Sequence, residues 1–167
     1  MFHIKSKKKI KNIHNQIVYS PVTGQVIRLE DVNDPVFSEH LLGDGLAIIP
    51  KDDMLFSPVD GTICTIFPTQ HAIGLKTDEG AEILIHIGID TVMLNGKGFD
   101  CQTSINQKVK VGDVLMKIDR EEIHKAGYDP TIMVIVTNKE KFKVNMKDDC
   151  SLVNNGVPLF EINGVNI

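Results

Sequence analysis

Short apolar runs rich in Val and Ile alternate with glycine-containing turns from Ile17 onward. β-Branched residues pack well on a pleated sheet, so each run is predicted to be a strand. Many short strands with frequent turn signals favour an all-β, antiparallel sandwich or barrel with little helix. The eight predicted strands are 24–29, 45–50, 61–67, 72–77, 81–89, 108–118, 131–138 and 157–162.

Helical signals are scarce. The best is the segment from Asp119 to Gly127: aspartate is a preferred N-cap, acidic residues fill the first turn and glycine ends the helix. The segment Ser38–Gly43 is predicted to add one more helical turn.

Two short patterns occur twice. Ser-Pro-Val-x-Gly begins at Ser20 and again at Ser57, and Gly-x-x-Leu-x-x-Ile begins at Gly112 and again at Gly156. Gly45–Pro50 is a looser relative of the second pattern. Two kinds of repeated element favour an internally duplicated fold over coincidence, and their spacing is not the even period of a solenoid.

Composition supports one folded domain with a charged N-terminal segment. Hydrophobic residues make up 42% and charged residues 24% of 167 residues, which is ordinary for a globular protein. Residues 1–16 hold five lysines and no acid, so they are predicted to form a flexible basic arm, with 17–167 as the domain. A membrane-surface role for the arm stays open. The remaining body is acidic, which disfavours nucleic acid and suits a basic protein partner.

The cysteines and the apolar runs indicate a cytoplasmic protein. Cys64, Cys101 and Cys150 are widely spaced and form no Cys-x-x-Cys pair, which argues against a disulfide framework or a thiolate zinc site. No apolar run approaches the roughly 20 residues of a membrane span. The basic N-terminus lacks the apolar region of a secretory signal.

The segment Glu82–Asp90 carries the most informative alternation. Strand periodicity places four isoleucines on one face, which is predicted to be core: Ile83, Ile85, Ile87 and Ile89. Leu84, His86 and Asp90 then share the opposite face, where Gly88 leaves room beside the imidazole. A histidine held on a rigid strand and open to a partner is well placed for chemistry.

A second histidine is predicted to lie close to His86. His71 opens the preceding strand, just after Thr69, and Thr77–Gly80 is a hairpin signal. Arms of equal length place His71 nearly opposite His86. The other histidines are interpreted as solvent-exposed: His3, His14, His40 and His124.

Two opposed imidazoles allow two kinds of chemistry. They can bind zinc, with Asp90 as a third ligand, or transfer a phosphoryl group through a phosphohistidine, because neutral imidazole is nucleophilic near neutral pH. In the second case a carbonyl such as that of Gly88 fixes the tautomer of His86, and His71 and Thr69 hydrogen-bond the phosphoryl oxygens. The chain has no glycine-rich phosphate loop, which disfavours a nucleotide donor.

The chain resembles the glucose-type enzyme IIA component of the bacterial phosphoenolpyruvate-dependent sugar phosphotransferase system. The resemblance covers about Val18 to Ile162 and rests on an ordered set of motifs. They are the paired segments at 20–24 and 58–62, then 37–48, Thr69-x-His71, His86-x-Gly-Ile-Asp-Thr-Val92, 94–99, 109–113 and Gly156-x-Pro158.

The resemblance implies a flattened antiparallel β-sandwich or barrel with a duplicated motif, and no cofactor. It implies that His86 accepts a phosphoryl group from the phosphocarrier HPr and passes it to the IIB domain of a sugar permease. His71 then serves onward transfer, Thr69 supports it by a hydrogen bond, and metal is not required, although zinc can bind adventitiously at the two histidines. The implied partner-binding residues are Phe37, Phe67, Leu84 and Asp90.

The resemblance also frames three further expectations. Leu84 stands where some relatives have a bulkier Phe, which predicts a flatter rim. Membrane contact is expected through the permease or through the basic arm. A short chain with an initiating Met and no attached IIB or IIC segment favours a free-standing IIA.

Three rival functions are weighed against this one. A zinc metallopeptidase would use a His-x-His pair with further ligands, and no His-x-His occurs around His86. A lipoyl or biotinyl carrier would need a lysine at a hairpin tip, whereas Lys117 is predicted to lie within a strand. A regulatory protein that uses the same histidine surface, switched by phosphorylation, stays open.

Overall fold

The computed structural model describes residues 15–146 and 151–165. The predicted basic arm, apart from its last two residues, lies outside these ranges, and the division into arm and domain stays a prediction. The described chain is mostly strand, and the predicted all-β class is confirmed. The strands are β1 (Gln16–Tyr19), β2 (Gly24–Arg28), β3 (Asp44–Pro50), β4 (Met54–Phe56), β5 (Gly61–Ile66), β6 (Ala72–Lys76), β7 (Glu82–Ile87), β8 (Phe99–Cys101), β9 (Lys108–Val109), β10 (Val114–Ile118), β11 (Ile132–Val136), β12 (Phe142–Asn145), β13 (Leu152–Val153) and β14 (Pro158–Gly164).

The strands form a β-sandwich in which every ladder is antiparallel. One sheet has eight strands in the order β13-β2-β3-β11-β7-β6-β5-β9, and two three-stranded sheets have the orders β1-β14-β12 and β4-β10-β8. Fully buried side chains from both layers form one core, for example Ile85 and Val134 from the large sheet with Leu115 and Ile162 from the small ones. The isoleucine-rich face of β7 is therefore core, as the alternation predicts.

The ladders reveal two equivalent halves. We call β4–β10 half B and the remaining strands, β1–β3 with β11–β14, half A. The eight-stranded sheet reads outward from its central pair, β11 and β7, as β3, β2, β13 on one side and β6, β5, β9 on the other. The two small sheets correspond in the same way. Half B is one continuous stretch of chain inserted between the two parts of half A.

The repeated sequences form the seam between the halves. Tyr19 N donates to Pro58 O (2.9 Å), and the equivalent Phe56 N donates to Pro21 O (2.8 Å). The hydroxyl groups of the two buried serines, Ser20 and Ser57, each donate across two residues to a backbone carbonyl at 2.7 Å.

The second repeat completes the same pattern. Ser20 N donates to Val157 O and Ser57 N donates to Asp113 O, so each Gly-x-x-Leu segment pairs with one Ser-Pro-Val segment. Both repeats are therefore explained by equivalent positions in a duplicated fold.

The halves differ in what covers the outer face of the large sheet. In half A, the long connection between β2 and β3 lies on the sheet, and Leu29, Val32 and Phe37 pack against Met133 and Ile135. In half B, β5 and β6 are joined by the short segment 67–71. Its outer face keeps a groove whose lining includes Thr65, Phe67, Gly74 and Leu84.

One helix prediction is confirmed and one is wrong. Helix α2 (Arg120–Lys125) follows Asp119, whose carboxylate accepts from Glu122 N at 3.0 Å. Helix α1 is Pro35–Ser38, ahead of the predicted turn at 38–43, because Asp34 caps Val36 N at 3.0 Å and proline suits the first helical position. Among the described residues, no helix has the length and apolar character needed to cross a membrane.

Candidate functional site at two adjoining histidines

His86 lies near the end of β7, on the outer face of the large sheet. It stands opposite Met133 of β11 on one side and Ala72 of β6 on the other. The ring of Phe37, carried by α1, meets the imidazole edge-on with ring centroids 4.9 Å apart. His86 is partly exposed, so part of the residue is available to a partner.

A tight turn after β7 fixes the His86 ring. The Nδ1 atom lies 2.9 Å from the carbonyl oxygen of Gly88. Since a carbonyl only accepts, Nδ1 carries the proton, and in the neutral ring Nε2 carries the lone pair. Gly88 has φ +79, and a Cβ there would lie 2.3 Å from Thr91 Cγ2. Only glycine fits this turn without a shift of its neighbours.

The same turn corrects one prediction. The alternation predicts Ile89 on the core face with Ile83, Ile85 and Ile87. Ile89 instead packs with Phe37 and Met133, in the cluster on the outer face of the large sheet. The left-handed backbone at Gly88 breaks the strand alternation, so residues beyond it no longer follow the period of two.

His71 adjoins His86, although the register differs from the expected one. Ala72 pairs with His86, and His71 O accepts from Ile87 N at 2.7 Å, so His71 stands one residue farther along. Gln70 has φ +59, and the chain turns sharply just before the histidine. The two imidazole centroids are 5.0 Å apart.

Two neighbours hold the His71 ring. Its Nδ1 lies 2.5 Å from Thr69 Oγ1, and the Phe67 ring meets it edge-on at 5.2 Å between centroids. The His71 side chain is 6% exposed. Since a hydroxyl can donate or accept, the contact with Thr69 allows either tautomer of His71.

Burial keeps both imidazoles neutral. Desolvation is the main cause that lowers the pKa of His86 to about 4, followed by the charge of His71. The hydrogen bond to Gly88 and the carboxylates of Asp34 and Asp90 act in the opposite direction. Burial also lowers the pKa of His71. Near neutral pH the site therefore presents an uncharged nitrogen lone pair on His86.

Two of the predicted partner-binding residues, Asp90 and Leu84, flank His86 in the chain. Asp90 is exposed, has φ +59 and precedes the 3-10 helix Thr91–Leu94. Leu84 is half-buried beside Gly74 in the uncovered groove. No group of three histidine, cysteine or carboxylate side chains in 15–146 or 151–165 is arranged to hold a metal. Asp90 therefore does not complete a zinc site with the two histidines.

Sequence reasoning missed a set of exposed apolar side chains on the two segments that adjoin His86, one carrying Phe37 and one following Asp90. They come from α1, from the residues after it and from the 3-10 helix after Asp90, and we call them the apolar collar: Val36 (39% exposed), Leu41 (66%), Leu42 (39%), Val92 (44%) and Met93 (67%). Phe37, which the resemblance places at the rim, is 3% exposed and meets the His86 ring edge-on. The available signal was the apolar pair Leu41-Leu42 in a segment that continues no strand.

The remaining histidines divide into two described and two undescribed ones. His124 is exposed on α2. His40 is not a free solvent histidine as predicted, because its ring lies between the carboxylates of Glu30 and Asp44. His3 and His14 lie outside the described residues.

Comparison with known proteins gives a consistent family. Residues 16–142 match the family model described as phosphoenolpyruvate-dependent sugar phosphotransferase system, EIIA 1. A glucose-specific EIIA component of Staphylococcus epidermidis is 39% identical over 137 residues, 82% of this chain and 81% of that protein. The glucose permease IIA structure from Mycoplasma capricolum matches with a TM-score of 0.79 and 37% identity, covering 89% of this chain and 96% of that one.

Other relatives are much longer. The β-glucoside-specific EIIBCA component of Halalkalibacterium halodurans is 46% identical over 145 residues, which are 87% of this chain but 23% of that protein. The chain thus spans about a quarter of the length of this curated relative.

Proposed function

Because the chain belongs to the EIIA 1 family of the phosphoenolpyruvate-dependent sugar phosphotransferase system, we propose that it relays a phosphoryl group through Nε2 of His86. The donor is phosphorylated HPr, and the acceptor is the IIB domain of a sugar permease. This relay takes place in the cytoplasm. The observation that carries the proposal is the neutral, oriented imidazole of His86, held by Gly88 beside His71.

The relay uses the lone pair that the Gly88 contact leaves on Nε2. This nitrogen attacks phosphorus, a bond from Nε2 to phosphorus forms, and the bond from phosphorus to the donor breaks with its electron pair returning to the donor. The proton on Nδ1 stays in its hydrogen bond to Gly88 O. In the second step the acceptor attacks phosphorus and the bond to Nε2 breaks. Such a transfer needs positioning and charge stabilisation more than covalent help.

His71 and Thr69 supply that stabilisation. If the Thr69 hydroxyl donates to Nδ1 of His71, the proton of His71 resides on Nε2, where it can donate to a phosphoryl oxygen of the adjoining phosphohistidine. We assign this tautomer to the onward step, in which charge moves away from His86. Thr69 acts through His71 and is therefore a positioning residue.

Docking of both partners is assigned to the apolar collar together with Phe67 and Leu84. An exposed apolar patch beside a reactive group is typical of a protein interaction site. Asp90 and the acidic body add negative charge, which favours encounter with basic partners. Some relatives are named EIIBCA or EIICBA components, and the B and C components joined to their A component support a permease partner.

Intact-mass measurement after incubation with phosphoenolpyruvate, enzyme I and HPr tests the proposal. We expect the protein to gain one acid-labile phosphoryl group and His86→Ala to gain none. His124→Ala removes an exposed histidine of α2 and should be phosphorylated normally. Normal phosphorylation of a folded His86→Ala variant would show that the assignment is wrong.

The division of labour between the histidines has its own test. His71→Gln should still accept a phosphoryl group, because Nε2 of His86 and the Gly88 contact are unchanged. Onward transfer to a IIB domain should fall by about 100-fold, the order of loss when one preorganised hydrogen-bond donor is displaced, because the glutamine amide does not occupy the position of the imidazole N–H. Equal losses in both steps would contradict separate roles.

A further inference from the structure

His40 joins the two ends of the connection that covers half A. Its Nε2 lies 2.7 Å from Oε1 of Glu30, near the start of the connection. Its Nδ1 lies 2.9 Å from Oδ1 of Asp44, the first residue of β3. This second contact lacks the geometry of an ordinary hydrogen bond, and Nδ1 itself is buried. One imidazole therefore links two carboxylates from opposite ends of a loop.

The backbone of His40 is also unusual for a residue with a side chain. His40 has φ +56, a region that glycine adopts far more easily than other residues. Its carbonyl accepts from Lys139 Nζ at 3.3 Å. The pKa of Glu30 is lowered, first by a backbone hydrogen bond and then by the hydrogen bond to His40.

The loop held in this way carries Phe37 to the site. Between Glu30 and Asp44, the connection presses Val32 and Phe37 onto Met133. The ring of Phe37 then meets His86 at 4.9 Å between centroids. Phe37 supplies part of the apolar surface that desolvates His86, and the same loop carries Val36, Leu41 and Leu42 of the collar.

We propose that His40 is a positioning residue for His86. By joining Glu30 to Asp44 it holds the loop 29–44 on the sheet, and this keeps Phe37 against the reactive imidazole and the collar in its docking shape. The inference rests on the proposed acceptor role of His86 and adds a residue outside the site itself.

Two variants separate the His40 side chain from its backbone geometry. His40→Gly suits the left-handed backbone but removes both contacts. His40→Asn also tolerates that backbone and can donate to one carboxylate. His124→Ala is the matched control, since it removes an exposed histidine carried by α2. Each variant is checked for folding by its unfolding transition before comparison.

The readouts are the nuclear Overhauser contact between the Phe37 and His86 rings, the NMR titration of His86, and the kinetics of phosphoryl acceptance. In His40→Gly we expect a weaker ring contact and a pKa of His86 raised by at least about half a unit, because the ring is better hydrated. The KM for phosphorylated HPr should rise at least about threefold with kcat changed less, because docking is weakened before chemistry. His40→Asn should fall between His40→Gly and the natural protein.

A folded His40→Gly variant with an unchanged ring contact and an unchanged His86 titration would overturn the inference. Should His40→Gly not fold, His40→Asn decides, since unchanged readouts there would also overturn it. The two NMR readouts need no phosphoryl donor. If the natural protein accepts no phosphoryl group, the proposed function fails, while the ring contact and the titration still decide whether His40 positions Phe37 against His86.

Discussion

The two halves of the molecule share one strand plan but use the outer face of the large sheet differently. Their ladders superimpose Ala47 and Met133 of half A on Gly74 and Leu84 of half B, and Ile135 on His86. Met133 and Ile135 are fully buried under the loop 29–44, whereas Leu84 and His86 are partly exposed. A position that serves as core in one half is thus the reactive position in the other.

The difference teaches how a stable sandwich acquires a reactive site. Half B lacks a covering loop because five residues join β5 to β6, and the exposed face is the result. The loop of half A reaches to the boundary, where Phe37 touches His86. His86 is therefore desolvated enough to stay neutral yet remains reachable. Covering it completely would exclude a partner, and uncovering it would let the ring take up a proton nearer its ordinary pKa.

The largest expected effect comes from truncating the covered face. Met133→Ala should lower the free energy of unfolding by about 2–5 kcal/mol, the usual cost of a cavity in a core. Leu84→Ala, at the equivalent uncovered position, should cost less than about half of that, because part of its side chain is already in water. Urea unfolding of both variants measures the two losses. Equal losses would mean that the two faces do not differ in burial.

Replacing His86 by isoleucine, the residue at the equivalent position of half A, should change the pH dependence of stability. The folded pKa of His86, about 4, lies below its ordinary value of 6.5. The unfolded chain therefore binds the proton first, and stability that is fully present above pH 6.5 is lost as pH falls toward 4. The loss is on the order of 3 kcal/mol. His86→Ile should lack this component and accept no phosphoryl group.

Unfolding at several pH values between those limits checks this expectation. The difference between the natural protein and His86→Ile isolates the contribution of one imidazole from that of the carboxylates. An unchanged slope in His86→Ile would show that His86 is not the group that is buried in its neutral form.

The equivalent glycines at the seam should respond alike. A Cβ at Gly24 would lie 2.2 Å from Ile49 O, and one at Gly61 would lie 2.4 Å from Lys76 O. Gly24→Ala and Gly61→Ala should each cost about 1–3 kcal/mol in the free energy of unfolding measured in urea, since the strands must move apart. Gly74→Ala is the control, because its nearest neighbour would be a side-chain carbon at 3.3 Å. A mild loss of stability at only one of Gly24 and Gly61 would show that the two positions are not structurally equivalent.

The smallest expected effect is at the two buried serines. Ser20→Ala removes the hydrogen bond that the serine hydroxyl donates to Val22 O, and Ser57→Ala removes the equivalent one to Val59 O. We expect each to lower the free energy of unfolding by about 1 kcal/mol. Chemical denaturation of the two single variants tests this. Losses that differ by more than about 0.5 kcal/mol would show that the two halves contribute unequally at the seam.

Local patterns predicted much of this architecture. Strands β2, β3, β5, β6, β7, β11 and β14 follow predicted apolar runs, and α2 follows its aspartate cap, because both signals act within a few residues. The alternation in β7 placed His86 away from the core for the same reason. The predicted strand 108–118 is instead two strands, β9 and β10, separated by a turn. The alternation failed at Ile89, however, since the left-handed backbone at Gly88 reverses the faces of the residues after it.

The features that were not predicted depend on distant contacts or on unusual backbone. The register of His71 shifts by one residue at Gln70, whose backbone is left-handed. Because Gln70 is not a glycine, the sequence carries no signal of this turn. The place of α1 and the burial of Phe37 depend on a loop folding over β11, which is far away in sequence. His40 was interpreted as a solvent residue because both of its carboxylate partners are identified only once that loop is closed.

The continuous path of half B has a consequence for the order in which the chain acquires structure. The ladders within half B join segments between Met54 and Ile118, whereas Gln16 of half A must pair with Ile162 near the other end of the chain. Contacts of low sequence separation form fastest. We therefore expect half B to fold first as the chain leaves the ribosome, with half A closing around it after β14 is made. His86 would then stand on a formed hairpin before β11 arrives to support the loop that brings Phe37 to it.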